Sequence, residues 1–416
     1  MDPKLMKPET LMMSYGYKPE LSEGAVKCPI FQTSTFVFKT AEDGKAFFEV
    51  AYGLRERGEK EEQGLIYSRI NNPDLEILEN RLSLWDGADE CAVFESGMSA
   101  ITTVLLEFLN PGDLLLHSAP VYGGTDHFIQ HFLPRFGIHT LEFKPGESKE
   151  SIEKRLLDSG MADKLRFIFI ETPANPTNAL IDINMCREIA THHGGQDNYV
   201  YIAVDNTYMG PLWQKPLDLG ADFSIYSATK YIGGHSDVIA GAVCGSSSVM
   251  KRVRTLRTFL GNMASPWTGW LLLRSLETLK VRMEQQCRNA IKVADFLNSH
   301  PKVEKVYYLG LLNESDPEYQ IYKRQHSAPG AMVSFDVKGG EAEAFRFLNN
   351  LPIFKLAVSL GSTESLAQHP YTMTHAGCNP EHNREFSITE KLIRLSIGVE
   401  HVDDLLMAIE YALEKV

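Results

Sequence analysis

Lys230 closes the motif Ser227-Ala-Thr-Lys230, directly after the apolar run Phe223-Ser-Ile-Tyr226. An amine placed just past a buried strand can condense with an aldehyde, and the flanking hydroxyls of Ser227 and Thr229 can hydrogen-bond a phosphate on the same molecule. Asp205 stands 25 residues upstream, at the end of Tyr199-Val-Tyr-Ile-Ala-Val204. A carboxylate there can pair with a protonated ring nitrogen and keep the ring electron-poor. Ser96-Gly97-Met98 follows Ala92-Val-Phe94 and opens an amphipathic run, so its amides form a helix N-terminus, which attracts anions. Tyr122 offers a flat ring for stacking. Taken singly, each has an ordinary reading: a solvated lysine, a helix-capping aspartate, a packing glycine, a half-buried core aromatic. Their joint occurrence, in the order phosphate loop, stacking ring, aspartate, lysine, favours one site.

That site needs a scaffold that ends several strands along one edge. From Leu75 the sequence supplies it. Leu75, Leu78, Leu82 and Trp85 recur at helical spacing, with Gly87 as the stop. Short apolar runs then alternate with helix-like stretches: Ala92-Val-Phe94, Asp113-Leu-Leu-Leu116, Arg166-Phe-Ile-Phe-Ile170, Tyr199–Val204, Phe223–Tyr226 and Gly241-Ala-Val-Cys244. Continuous apolar strands separated by helices predict a mostly parallel sheet covered on both faces, with ligands beyond the carboxyl ends of its strands. A long helix is expected from about Thr268 to His300. Beyond it, a half-exposed strand Ala331–Asp336, a helix Ala342–Leu348, a strand Leu392–Ser396 and a final helix Val402–Leu413 predict a smaller α+β domain. The expected division is an arm over 1–74, a large domain over 75–276 and a small domain over 277–416.

Composition excludes several partner classes. At 44% hydrophobic and 23% charged, the 416 residues can bury a large core. A formal charge of −13 argues against nucleic acid, which needs a basic surface. No apolar run is long enough to span a bilayer, and Met1–Glu9 hold no apolar signal core, so a cytoplasmic enzyme is expected. The six cysteines show no C-x-x-C spacing and are expected reduced and mostly buried. His192-His193 runs into Gly194-Gly195 and reads as a surface pair, with no metal expected. The charge-dense stretch between Gly53 and Gly64 reads as a solvated helix face or loop.

The chain resembles the Cys/Met-metabolism family of pyridoxal 5′-phosphate (PLP) enzymes, which includes cystathionine γ-synthases, cystathionine lyases, methionine γ-lyases and homoserine-ester sulfhydrylases. The resemblance runs through Tyr67-Ser-Arg-Ile-Asn-Asn-Pro73, Ser96-Gly-Met-Ser-Ala100, Tyr122-Gly-Gly-Thr125, Glu171-Thr-Pro-Ala-Asn-Pro176, Val204-Asp-Asn206, Ser227-Ala-Thr-Lys-Tyr231, Gly234-His-Ser-Asp237, Ser359-Leu-Gly361, Met373-Thr-His375 and Arg394-Leu-Ser396. It implies an aspartate-aminotransferase-like α/β architecture (fold type I). It implies Lys230 as the Schiff-base lysine and proton shuttle, Asp205 opposite the pyridine nitrogen, and Tyr122 stacked on the ring. Gly97, Met98, Ser227 and Thr229 would hold the phosphate. Tyr67 and Arg69 would reach it from a neighbouring subunit, making a dimer the smallest active unit and a tetramer the expected assembly. Asn175, Ser359 and Arg394 would bind the substrate's α-carboxylate, Arg394 with a bidentate grip.

The implied reaction is γ-elimination or γ-replacement on a sulfur amino acid or homoserine ester. Cystathionine-handling relatives usually carry a glutamate where this chain has Val358, and an arginine where it has His127. Losing both charged contacts disfavours a substrate with a second charged end and puts methionine γ-lyase-like chemistry first. Gly124 stands where methionine γ-lyases typically have cysteine, so cystathionine γ-synthase and O-acetylhomoserine sulfhydrylase activities remain the alternatives. A non-catalytic regulatory paralogue is the remote one, since such proteins usually lose the lysine or aspartate retained here.

Overall fold

The computed structural model describes residues 5–51, 53–56, 58, 64–195 and 198–416; much of the charged stretch between Gly53 and Gly64 lies outside them. The periodic run after residue 72 forms the helix Pro73–Asp86. Asn72 caps it by accepting the N–H of Asp74, Pro73 supplies a preset φ at its start, and Gly87 ends it at φ 68°. Leu75, Leu78, Leu82 and Trp85 are all buried.

Seven strands follow: β1 (Glu90–Phe94), β2 (Leu114–Ser118), β3 (His139–Phe143), β4 (Leu165–Glu171), β5 (Tyr201–Asp205), β6 (Phe223–Ser227) and β7 (Gly241–Gly245). They form one sheet in the order β1-β7-β6-β5-β4-β2-β3. Only β7 runs antiparallel to its neighbours, so the sheet is mostly parallel, as the apolar runs predict. Alternation along each strand divides the core. Phe167, Phe169, Phe223 and Ile225 pack with Ile101, Val104 and Leu105 of the helix Gly97–Phe108. On the other face, Ile168, Ile170, Ile202 and Val204 pack against Ile183, Cys186 and Ile189 of the helix Ile183–His193. Each such side chain contributes about 1.5–3 kcal/mol on burial, which fixes the register and with it the position of every strand end.

The C-terminal part builds a second sheet from β8 (Val303–Tyr307), β9 (Met332–Val337), β10 (Lys355–Leu356), β11 (Leu366–Gln368) and β12 (Leu392–Ser396), ordered β10-β11-β12-β9-β8. Helices Leu279–Ser299, Glu341–Asn349 and Val402–Glu414 cover it. Two expectations change here. The single helix from Thr268 to His300 is two, Pro266–Leu276 and Leu279–Ser299, because Thr278 leaves the helical region and Arg282 donates to its hydroxyl and to the carbonyl of Ser275. The strand Ala331–Asp336 reads as half-exposed, yet all of β9 is buried. Its polar groups meet the first sheet's loops: Ser334 Oγ donates to the Pro176 carbonyl, and Asn178 Nδ2 donates to that of Met332.

The six cysteines are unpaired, five of them buried. His192 is exposed and lies 2.7 Å from Glu153 at a helix C-terminus, but the His193 side chain is largely covered, because it turns back toward Glu153. Among the described residues no helix is long and apolar enough to cross a membrane.

Candidate active site

Adjacent parallel strands bring the sequence motifs to one edge. β4 ends at Glu171, β5 at Asp205 and β6 at Ser227, with Glu171 and Asp205 directly paired in register. Lys230 sits in the turn after β6, and the helix Gly97–Phe108 starts beside Ser227. Between them lies a cavity of about 270 Å³, lined by Gly97, Met98, Tyr122, Asn175, Asp205, Ser227, Thr229 and Lys230, among others. A larger groove of about 610 Å³, beside Arg254 and Arg257, contains none of these residues.

Lys230 Nζ donates to Ser359 Oγ at 2.8 Å. Burial lowers the Lys230 ammonium to about 8; the charge of Arg394 adds to the effect and Asp205 opposes it. Burial raises the Asp205 carboxyl, against the hydrogen bonds it accepts from Thr207, whose N–H lies 3.1 Å from Oδ1. Ser359 has φ 95°, a conformation costly for a residue with a side chain. This backbone aims its hydroxyl at Lys230 and its carbonyl at Arg394, whose Nη2 donates to it at 2.5 Å.

Arg394 comes from β12 and stands directly behind the lining, one hydrogen bond from it. Its Nη1 donates to Asn175 Oδ1 at 2.9 Å, and Tyr208 donates to the same oxygen at 2.7 Å. Arg394 is 3% exposed and its Nε has no partner among the described residues. Its named hydrogen-bond acceptors, the Asn175 side chain and the Ser359 carbonyl, are uncharged, and the Lys230 ammonium and the guanidinium repel each other. A buried guanidinium held by neutral acceptors keeps its charge uncompensated, which is costly unless an anion pairs with it.

Tyr67 and Arg69 are not among the cavity-lining residues. Both are exposed, and Arg69 Nη1 donates to the Thr258 carbonyl at 2.7 Å while its guanidinium lies 5.7 Å from the Tyr67 ring centroid. Three polar wall residues escape the sequence reading: Glu171, Thr207 and Tyr208. Their signal is adjacency, since Glu171 opens the motif that contains Asn175, and Thr207-Tyr208 directly follow Asp205-Asn206. Val358 is exposed and His127 lies beside His131; neither lines the cavity.

The donor set fits a phosphorylated pyridine aldehyde. A Cβ on Gly97 would lie 2.9 Å from that of Ser227, so only glycine lets the helix N-terminus come this close to the Ser227–Thr229 turn. A Cβ on Gly124 would meet the Tyr122 ring at 2.7 Å, so glycine lets that ring lean back over the following helix. The amine and the acid stand on neighbouring strand ends, facing the same space.

A family model described as Cys/Met metabolism PLP-dependent enzyme matches residues 9–414. The chain is 40% identical to an L-methionine gamma-lyase of Pseudomonas putida, across 97% of this chain and 96% of that one. It is 38% identical to a cystathionine gamma-lyase of Bacillus subtilis (strain 168), across 99% and 100%. Among solved structures, a cystathionine gamma synthase from Xanthomonas oryzae pv. oryzae, in complex with aminoacrylate and cysteine, matches with a TM-score of 0.87 and 33% identity over 99% of this chain and 98% of that one.

Proposed function

Because the chain belongs to the Cys/Met metabolism PLP-dependent enzymes and is itself a pyridoxal phosphate enzyme, we propose that it carries out γ-elimination or γ-replacement on a sulfur amino acid or homoserine ester. Methionine γ-lyase-like elimination, giving 2-oxobutanoate and ammonia, stands first. The observation that carries this reading is Arg394, a buried guanidinium without an acid partner among the described residues, linked to the amine of Lys230 through Ser359. It fits the α-carboxylate of an amino acid whose amino group meets the cofactor. Elsewhere the lining includes apolar walls (Met98, Ile101, Ile239, Leu360), and Lys230 is its only cationic side chain among the described residues. Such walls suit a thioether and offer nothing to a second, distal carboxylate.

Bound pyridoxal phosphate supplies an electron sink that acidifies the C–H of the substrate's amino-bearing carbon and then that of the carbon next to it. The protein's residues supply the rest. Asp205 would hold the ring-nitrogen proton, which keeps that sink open. Gly97 and Met98 amides with the Ser227 and Thr229 hydroxyls would hold the phosphate, and Tyr122 would cover the ring. Lys230, whose depressed basicity leaves an appreciable neutral fraction near neutral pH, would take the proton from the substrate's α-carbon and then one from its β-carbon, so that the γ-substituent can leave as a thiolate. Asn175, Ser359 and Arg394 would fix the carboxylate, so that the scissile bonds stay aligned with the ring. Tyr67 and Arg69, exposed on their own chain, would complete the phosphate site of a neighbouring subunit. A dimer is then the minimal active unit, with 1–74 as the reaching arm, 75–276 as the cofactor-binding domain and 277–416 as the smaller domain.

Cystathionine γ-synthase or O-acetylhomoserine sulfhydrylase activity is the second reading, favoured by the likeness to the Xanthomonas synthase. Methionine, cystathionine and O-acetylhomoserine, each supplied with and without a thiol, separate the two. Rapid 2-oxobutanoate from methionine is expected; a thioether formed only from the ester plus thiol reverses the order.

A further inference from the structure

Glu171 has no role in the chemistry above, yet it is one of the most enclosed groups in the cavity wall, at 5% exposure. It ends β4 beside Asp205, and burial together with that neighbouring carboxyl pushes its own carboxyl upward. An acid is a costly choice for this place, where an apolar side chain would fill the wall without charge. What the acid gains is visible in its partners. Oε2 accepts the N–H of Tyr122 at 2.6 Å, and Oε1 accepts the N–H of Asn175 at 2.9 Å. The two amides belong to different loops, one after β2 and one after β4. The first loop carries the exposed ring over the cavity. The second carries the oxygen that orients both Arg394 and Tyr208.

We propose that Glu171 is a positioning residue that ties the ring-stacking loop to the carboxylate-binding loop, so that cofactor and substrate are held in one fixed relation; this rests on the roles proposed for Tyr122 and Asn175. Only a carboxyl with both oxygens free to accept can span the two N–H groups. Glutamine has one carbonyl oxygen, and its NH₂ faces one of the donors. Aspartate keeps both oxygens of the acid but is one methylene shorter, and it reaches only one loop.

The test is made on the holoenzyme, with Glu171→Gln and Glu171→Asp compared with wild type by methionine kinetics, by the circular dichroism of the cofactor's visible band and by thermal unfolding. Both variants are expected to keep the cofactor and to melt near wild type. Both are expected to raise KM and to lose about three- to tenfold in kcat/KM, the effect of one lost hydrogen bond. The dichroic band should change in shape or amplitude, because it reports the tilt of the ring against the protein, which a purely structural role would leave alone. Wild-type KM and dichroism in both variants overturn the proposal. So does an aspartate variant that matches wild type while glutamine does not, since a titratable acid beside Asp205, and not its span, is then the function. If glutamine alone fails to fold, aspartate decides on the same readouts; if neither folds, Glu171 serves stability and the proposal fails. A wild type that binds no pyridoxal phosphate removes the premise itself, and it is recognised before any variant is compared.

Discussion

Replacing Arg394 by lysine tests its proposed role as the carboxylate receptor directly. The guanidinium is 3% exposed and fixed through Nη1 to Asn175 and through Nη2 to the Ser359 carbonyl, with Nε left open. A carboxylate arriving there finds a fork already oriented by neutral partners, so little order is lost on binding. Lysine keeps the charge but replaces the fork with a single ammonium. It can satisfy either the resident acceptors or the substrate, and at least one hydrogen bond from a charged donor disappears. Such a bond is worth about 1.5–3 kcal/mol, which corresponds to a fall of about 10- to 150-fold in kcat/KM. The assay is 2-oxobutanoate release from methionine, with KM and kcat resolved. The control is 3-methylthiopropylamine, the same molecule without its carboxylate, whose binding is followed by the change in the cofactor's visible band. Wild type should bind methionine far better than the amine, and Arg394→Lys should nearly abolish that preference while leaving the amine's affinity unchanged. Less than about a threefold change with methionine, well below the range that follows from one such bond, or an equal loss with the amine, refutes the assignment.

Three further outcomes follow from the geometry. Apoenzyme made from wild type should take up pyridoxal phosphate at a rate that rises with pH and levels off above about 8, since the neutral amine is the nucleophile and burial lowers Lys230 to that value; a rise continuing toward about 10 would show an ordinary solvated lysine. Lys230→Ala should hold the cofactor without turnover, and mixing it with Arg69→Ala should recover about a quarter of wild-type activity if a random half of the dimers each carry one intact shared site; no recovery places Arg69 within its own chain's function. His326 is buried and its pKa is lowered to about 4, so it folds neutral and the unfolded chain binds the extra proton: stability is complete above about 6.5 and is lost as pH falls toward 4, by up to about 3 kcal/mol. His326→Gln should flatten that slope in urea titrations between about pH 7 and 4, and an unchanged slope would assign the acid sensitivity to other groups.

The chain's own patterning revealed the main strands and helices that carry the site, and the chemistry-bearing residue types, but not the strands β3, β8, β10 and β11. Helix Pro73–Asp86 carries its capping residues in the chain, and the apolar runs of β4, β5 and β6 are long enough to be buried on both faces, so the polar residues at their ends had to share one edge. Motif order then placed Gly97, Tyr122, Asp205 and Lys230 around one cavity. The tertiary structure alone decided what faces what. Arg394 and Asn175 are 219 residues apart in the chain, and they meet only because the second sheet packs against the loop after β4, where Ser334 also holds the Pro176 carbonyl. The buried polar groups of β9, the unusual backbone of Ser359 and the double grip of Glu171 likewise depend on contacts between segments far apart in sequence. Local propensity acts over a few residues, whereas burial and hydrogen-bond satisfaction are properties of the assembled interior. A sequence read alone therefore names the reactive groups, and only packing reveals which neighbour each of them must answer to.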